Sequence, residues 1–172
     1  MTGATARGPE GQTIRVVGEG DLPDLLPLMR GYCAFYETAP SDEALERLMR
    51  ACLADPVATG VQLIARDDGG AAVGFATVYW LWSSTEARPI ALMNDLFVSD
   101  AARGSGLGRA LIDACAALAA ERGVTVLEWQ TAPDNHRAQR VYNTTPAERS
   151  SWLTYTWELG AAAPSSTTQP DQ

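Results

Sequence analysis

The chain has no lysine, and all thirteen of its basic residues are arginine. That absence excludes a lysine Schiff base and a nucleotide phosphate loop ending in G-K-[ST], whose lysine reaches the terminal phosphates. Histidine occurs once, as His136, and cysteine three times, as Cys33, Cys52 and Cys115, with no C-x-x-C spacing. A zinc site draws about four such ligands together, so no metal is expected, and His136 reads as a surface residue. Positive charge is scarce as well: 13 basic against 21 acidic residues leave a net charge of −8. Phosphate backbones need clustered cations, so nucleic acid is not an expected partner, whereas a cationic small molecule is an easier one. No apolar run approaches the roughly 18 residues of a membrane span, and the N-terminus lacks a signal-peptide core. No membrane partner is therefore expected, and the three thiols read as reduced thiols of a cytoplasmic protein.

What is present is enough for one well-filled domain: 172 residues, 46% of them hydrophobic. Residues 1–12 are small and polar and are expected to be flexible; 13–159 form the domain; 160–172 carry almost nothing that could enter a core and are expected to be a disordered tail. A strand is predicted over 13–17. Asp21 then caps a helix with Leu22, Leu25, Leu26, Met29, Cys33 and Tyr36 at helical spacing, and Ser41 caps a second through Leu45, Leu48, Met49 and Cys52. Strands at 61–66 and 72–82 flank Asp67-Asp68-Gly69-Gly70, a hairpin turn, and a third follows at 89–99. A helix over 107–122 ends at Gly123, followed by a strand at 124–131, a short helix at 135–143 and a last strand at 147–159. The order β-α-α-β-β-β-α-β-α-β implies an α/β (α+β) domain, a mixed sheet with helices on both faces.

The most specific local feature is Arg103-Gly104-Ser105-Gly106-Leu107-Gly108, lying between a strand ending at Val98 and the start of a helix. Closely spaced glycines let successive N–H groups converge, and the following helix directs its positive end at whatever anion they hold. Arg103 adds charge at the mouth, and a pyrophosphate is the fitting ligand. The dinucleotide fingerprint would need glycine at 109, where Arg109 stands.

The R-x-x-G-x-G pattern after Leu96-Phe97-Val98 resembles the acyl-CoA loop of the GNAT N-acetyltransferase superfamily. Asn135-His136-Arg137-Ala138-Gln139-Arg140-Val141-Tyr142 resembles that family's N-x-x-A-x-x-x-Y helix, and the likeness extends over roughly residues 61–157. It implies the GNAT fold, acetyl-CoA as co-substrate and an amine as acceptor. Carried onto this chain, it implies coenzyme A contacts from Phe97, Val98, Arg103, Gly104, Ser105, Gly106, Leu107, Gly108, Arg109, Asn135, Ala138 and Tyr142. The Val98 N–H would face the carbonyl oxygen of the thioester, and Tyr142 would protonate the departing sulfur. A tyrosine near pKa 10 and a thiol near 8.5 are close enough for that transfer.

Diamine-type members read Leu-Glu-Asp where this chain reads Met93-Asn94-Asp95. Asn94 can bind an ammonium but cannot accept its proton, so the base is left among Asp95, Glu37 and Glu128. The segment Met29 to Glu37 resembles the first helix end of diamine-type enzymes, which overhangs the thioester, so Tyr32 and Glu37, with Asn94 and Trp80, are expected at the acceptor. In the tryptophan-rich strand, Trp80 and Trp82 share one face and Tyr79 and Leu81 the other. Asn143 and Pro146 depart from the family's acidic residue and glycine, which alters the turn before the last strand. The leading reading is acetylation of a small amine such as a polyamine, an amino acid or an amine antibiotic, by direct attack in a ternary complex. A protein acceptor and a non-catalytic acyl-CoA sensor are the alternatives, and a homodimer is implied because dimers are common in the superfamily.

Overall fold

The computed structural model describes residues 5–159. Its elements run β1 (Ala6–Arg7), β2 (Thr13–Val16), α1 (Leu22–Phe35), α2 (Asp42–Ala54), β3 (Gly60–Arg66), β4 (Ala72–Ser83), β5 (Arg88–Val98), α3 (Leu107–Glu121), β6 (Leu127–Glu128) and α4 (His136–Tyr142). The six strands form one sheet in chain order, antiparallel except for the parallel pair β5–β6. Long antiparallel ladders need only turns to join them, whereas β6 must return alongside β5 and does so through α3.

Two cores lie on opposite faces. On one, Leu22, Leu25, Leu28 and Met29 of α1 and Leu45 and Met49 of α2 close over Ile64 and Phe75. On the other, Leu107, Leu111, Ile112, Cys115 and Ala119 of α3 cover Leu63, Ala65, Ala76, Val78 and Met93. The period of two along β3 and β4 assigns neighbouring residues to different cores, the mixed α/β architecture expected from the element order. Helix α1 comes close to β5 at Gly31, where a Cβ would lie 2.8 Å from Phe97 Cζ. Ser41 caps α2 as predicted, its Oγ accepting the Ala44 N–H at 3.3 Å. Asp21 precedes α1 but makes no side-chain cap; its carboxylate takes Arg15, Arg66 and the Gly18 N–H instead.

Both ends of the predicted domain need correction. The stretch assigned as flexible, 1–12, contains β1, which pairs Ala6 with Ile14 and Arg7 with Thr13, and a 3₁₀ turn at Pro9–Gly11 that rests on the glycine loop. Short side chains suit a segment that backbone pairing, rather than apolar burial, holds in place. The strand expected over 124–131 is reduced to Leu127–Glu128, and the strand expected over 147–159 is not formed. After α4, the Thr144 and Thr145 N–H groups turn back onto Val141 and Tyr142, and Pro146 fixes the next φ, so the chain leaves the sheet. The tail assigned to 160–172 lies outside the described residues, and among those described no helix is long and apolar enough to cross a membrane.

Candidate active site

The site begins with an irregularity in β5. Thr77 pairs with Asp95 but Val78 pairs with Met93, so Asn94 is the extra residue of a β-bulge. Met93, Leu96 and Val98 all pack on the α3 side, a three-residue step between Met93 and Leu96 that no regular strand permits. The bulge also resets the direction of the main chain. Before it, the Ala91 N–H donates to Val126 O beside β6 at 2.9 Å; beyond it, Ser99 donates to Val73 O on β4 at 2.9 Å. Antiparallel alternation then turns Asp95 and Phe97 toward β4 and leaves the N–H groups of Leu96 and Val98 facing away from it. On that side β6 pairs only with Ala91 and Leu92, so β5 and β6 diverge where those N–H groups point. The Val98 N–H is thus turned toward that gap. Leu96 shares that placement and was missed, because the bulge that sets its phase lies within a run apolar on both sides.

Phe97, expected among the cofactor contacts, is turned away from that gap. Its main chain pairs with Phe75, and its ring packs on Phe75 (centroids 6.2 Å apart) beneath Gly31.

Beyond β5 the glycine loop takes the conformation its composition foretold: Gly104 and Gly106 both have φ of +86°, a region closed to most side chains. Ser105 Oγ donates to Ala102 O at 2.8 Å and accepts the Leu107 N–H at 3.3 Å, which ties the loop to the start of α3. The N–H groups of Gly106, Gly108 and Arg109 meet no main-chain acceptor among the described residues, and the first turn of α3 carries no acid to compete with an incoming anion. The Leu107 side chain is core, 1% exposed. Arg103 spans the mouth, pairing with Asp100 and donating from Nε to Val98 O at 3.1 Å. Burial, and then the like charge of Arg137 on α4, hold the Arg103 pKa below its usual value, so the two guanidinium groups act on the same region. Arg137 was missed although it sits inside the recognised helix motif. Arg109, by contrast, is committed elsewhere: its guanidinium pairs with Asp113 and donates to Thr144, fastening α3 to the turn after α4. As a coenzyme contact its side chain is a correction, since it points along the helix surface and away from the loop.

Across the gap, Asn135 Oδ1 accepts the Ala138 N–H at 3.1 Å, so these two motif residues form the N-cap of α4. Tyr142, at the far end, stacks edge-on against Trp129 with centroids 5.5 Å apart. Burial first, and then the nearby Tyr36 hydroxyl, push Tyr142 above its ordinary value and keep it protonated.

On the α1 side of the sheet, the bulge places Asp95 under Tyr32. Asp95 is 7% exposed and has no cation beside it among the described residues. Burial pushes its carboxyl above the usual carboxylate range, against hydrogen bonds from Thr77, Tyr32 and Asn94 that favour the charged form. Asn94 Nδ2 lies 3.0 Å from Asp95 Oδ1, and the Tyr32 hydroxyl lies 3.4 Å from Asn94 O. Tyr32, Asn94 and Asp95 are thus brought together as expected. Glu37 and Glu128 remain exposed, so Asp95 is the one buried acid among the three considered. Trp80 is a correction. It lies on the α3 side, where its Nε1 donates to Pro56 O at 2.9 Å and Arg122 stacks over its ring at 4.1 Å. Its neighbour Tyr79 faces Asp95 instead, its hydroxyl pushed up to about 12 by burial and by the Asp95 charge.

Whether these residues suit coenzyme A can be judged from the loop itself. Converging, unaccepted N–H groups at a helix start without acids, with two arginines at the rim, fit a diphosphate.

Comparison with known proteins agrees. Residues 25–144 match the model of the Acetyltransferase (GNAT) family. The chain is 33% identical over 129 residues to an uncharacterised N-acetyltransferase, YhfO, of Bacillus subtilis (strain 168), covering 75% of this chain and 85% of that one. It is 27% identical over 145 residues to a thialysine N-epsilon-acetyltransferase of Bos taurus, covering 78% and 83% respectively. Among solved structures it resembles the crystal structure of a probable acetyltransferase, with a TM-score of 0.75 at 24% identity over 85% of this chain and 97% of that one. With the bulged strand, the glycine loop and the tyrosine-bearing helix placed as they are, the chain belongs to the GNAT family of N-acetyltransferases.

Proposed function

We propose that this protein acetylates the primary amine of a small molecule, of the diamine or amino-acid kind, by direct attack in a ternary complex. When bound, acetyl-CoA supplies the acetyl thioester. The N–H groups of the glycine loop with Arg103 and Arg137 would hold its diphosphate, and the N–H groups of Leu96 and Val98 would lie along its pantetheine and acyl end.

The observation that carries this reading is a buried aspartate with no counter-charge, beside the bulge. An alkylammonium is neutral in only about one part in 10³ at pH 7, so the acceptor must lose a proton before its nitrogen can attack. An arriving ammonium supplies the positive charge that Asp95 lacks. In a dry pocket the neutral acid with the neutral amine competes with the ion pair, which favours transfer of the proton to the Asp95 carboxylate. Asn94 and Tyr32 orient the amine, and Tyr142, held protonated, gives its hydroxyl proton at the sulfur position as the thiolate departs. The thialysine acetyltransferase, whose name specifies a small amine acceptor, supports this class.

Exposed apolar side chains support a homodimer in addition. Trp152, Leu153, Tyr155, Trp157 and Leu159 are each 83–89% exposed, on the segment that fails to join its own sheet. Apolar surface of this extent marks an interaction site, and a second copy of the chain would cover it.

A thiol-release assay with acetyl-CoA and a panel of diamines, amino acids, aminoglycosides and peptides tests the activity. Turnover with diamines or amino acids is expected. Coenzyme A binding without turnover on any amine would reassign the protein as an acyl-CoA sensor, and turnover on peptides alone would make it a protein acetyltransferase.

A further inference from the structure

Asp95 is one end of a polar row that crosses three strands inside the apolar core. Gln62 on β3 is the register partner of Thr77 on β4, and Thr77 is the register partner of Asp95 on β5. The three side chains lie beneath α1 and α2, 2%, 0% and 7% exposed. Gln62 Nε2 donates to Thr77 Oγ1 at 3.2 Å and approaches Met29 Sδ at 3.7 Å, while its Oε1 has no partner among the described residues. A buried amide oxygen without a donor is unfavourable, and a leucine or methionine would fill the same space without that penalty. Stability therefore does not explain a glutamine here; what its N–H does to Thr77 can.

A threonine hydroxyl has one proton. With Gln62 donating into Oγ1, that proton is left to point across the sheet toward Asp95, the register partner of Thr77 on the same face, where a donor favours the charged form of the carboxylate. We propose that Gln62 is a positioning residue for the acetyl-transfer reaction, orienting the Thr77 hydroxyl so that Asp95 is held ionised and aimed at the acceptor amine. This rests on the assignment of Asp95 as the proton acceptor. The other titratable groups around Asp95 are Tyr32 from α1, Cys52 from α2 and Tyr79 from β4, all pushed up and neutral, so none can replace the donor from Thr77 with a charge. The row works in one direction, from Gln62 through Thr77 to Asp95: Gln62 makes Thr77 a better donor, and Thr77 holds Asp95 in its charged form.

The test is the pH dependence of kcat/KM for Gln62→Met, Thr77→Val and Thr77→Ser. Gln62→Met and Thr77→Val preserve volume and remove the relay, and each is expected to move the acid limb upward by about half a pH unit or more, with activity returning at higher pH. Thr77→Ser retains the hydroxyl and should keep the wild-type profile, and the double variant Gln62→Met/Thr77→Val should shift no further than either alone. A merely structural role would lower melting temperature and leave the acid limb in place, and that result in both single variants overturns the relay. Where Thr77→Val does not fold, Thr77→Ala, which introduces no clash, is read in its place. Asp95→Asn separates the two layers. Full activity there refutes the base itself, whereas an inactive Asp95→Asn beside unshifted profiles for the other variants refutes the relay alone.

Discussion

Asp21 and Asp95 are both buried aspartates, and their surroundings are opposite. Asp21, 3% exposed, receives both arms of Arg15 at 2.6 Å, Arg66 at 2.8 Å and the Gly18 N–H at 2.9 Å. Burial opposes its charge, but these donors overcome that and hold its pKa at about 2. Asp95 is buried to a similar degree with only neutral donors, Thr77, Tyr32 and Asn94, and its pKa moves up. Asp21 closes a network that fixes the entry to α1; Asp95 is left wanting a cation at the one place where the sheet opens. A buried carboxylate with its arginines belongs to the fold; one without them, in the function proposed above, awaits the charge of the acceptor.

The comparison can be broken at either end. Asp95→Asn is expected to lower kcat/KM by about 10²- to 10⁴-fold, the range for losing a general base, while the protein remains folded. At neutral pH this variant should also melt higher than wild type. A carboxyl raised in the folded state loses stability as pH rises from its unfolded value through its folded one, and asparagine removes that loss. Asp21→Ala should do the reverse, destabilising by about 3 kcal/mol because Arg15 loses its carboxylate partner and Arg66 keeps only Asp24, with little change in turnover measured below the melting transition. Acid unfolding sharpens this. The stabilisation from Asp21, about 2 kcal/mol, is complete above its unfolded pKa of about 4 and should disappear as pH falls through about 2, a step absent from Asp21→Asn.

Smaller effects test the rest of the site. Tyr142→Phe should reduce turnover by about 10- to 100-fold and leave coenzyme A affinity intact, as isothermal calorimetry would report. Arg137→Ala should weaken coenzyme A binding by a few-fold to about tenfold, most visibly at low salt, and Arg109→Ala should lower thermal stability instead. Sedimentation should give a dimer that truncation after residue 150 returns to a monomer.

Much of this was legible in the sequence because the relevant signals are local. Glycines at 104 and 106 declared positive φ before a helix, Ser41 declared a cap, and the Asn135-to-Tyr142 spacing declared a short helix. Asp95 could be named only as one acid among three, because its burial depends on α1 and α2 closing over it. The bulge at Asn94 was invisible: residues 90–98 are largely apolar on both faces, so an inserted residue leaves no mark in the hydrophobic pattern, and with it went Leu96 and the phase of Phe97. The same limit misplaced Trp80, since alternation shows that Tyr79 and Trp80 face opposite ways without saying which faces the acceptor. Gln62 carried no signal, because only strand register puts it beside Thr77. The alternating apolar residues of 152–159 read as a strand of this chain's own sheet, and no local pattern tells a strand paired within its chain from one that is not.

The most direct test is kcat/KM of wild type and Asp95→Asn for acetyl transfer to a diamine, followed from acid to mildly alkaline pH. The wild type is expected to show an acid limb with its midpoint above the ordinary aspartate value, and the variant to lose both that limb and nearly all activity around neutrality. An Asp95→Asn enzyme with the wild-type rate and the wild-type limb would contradict that expectation.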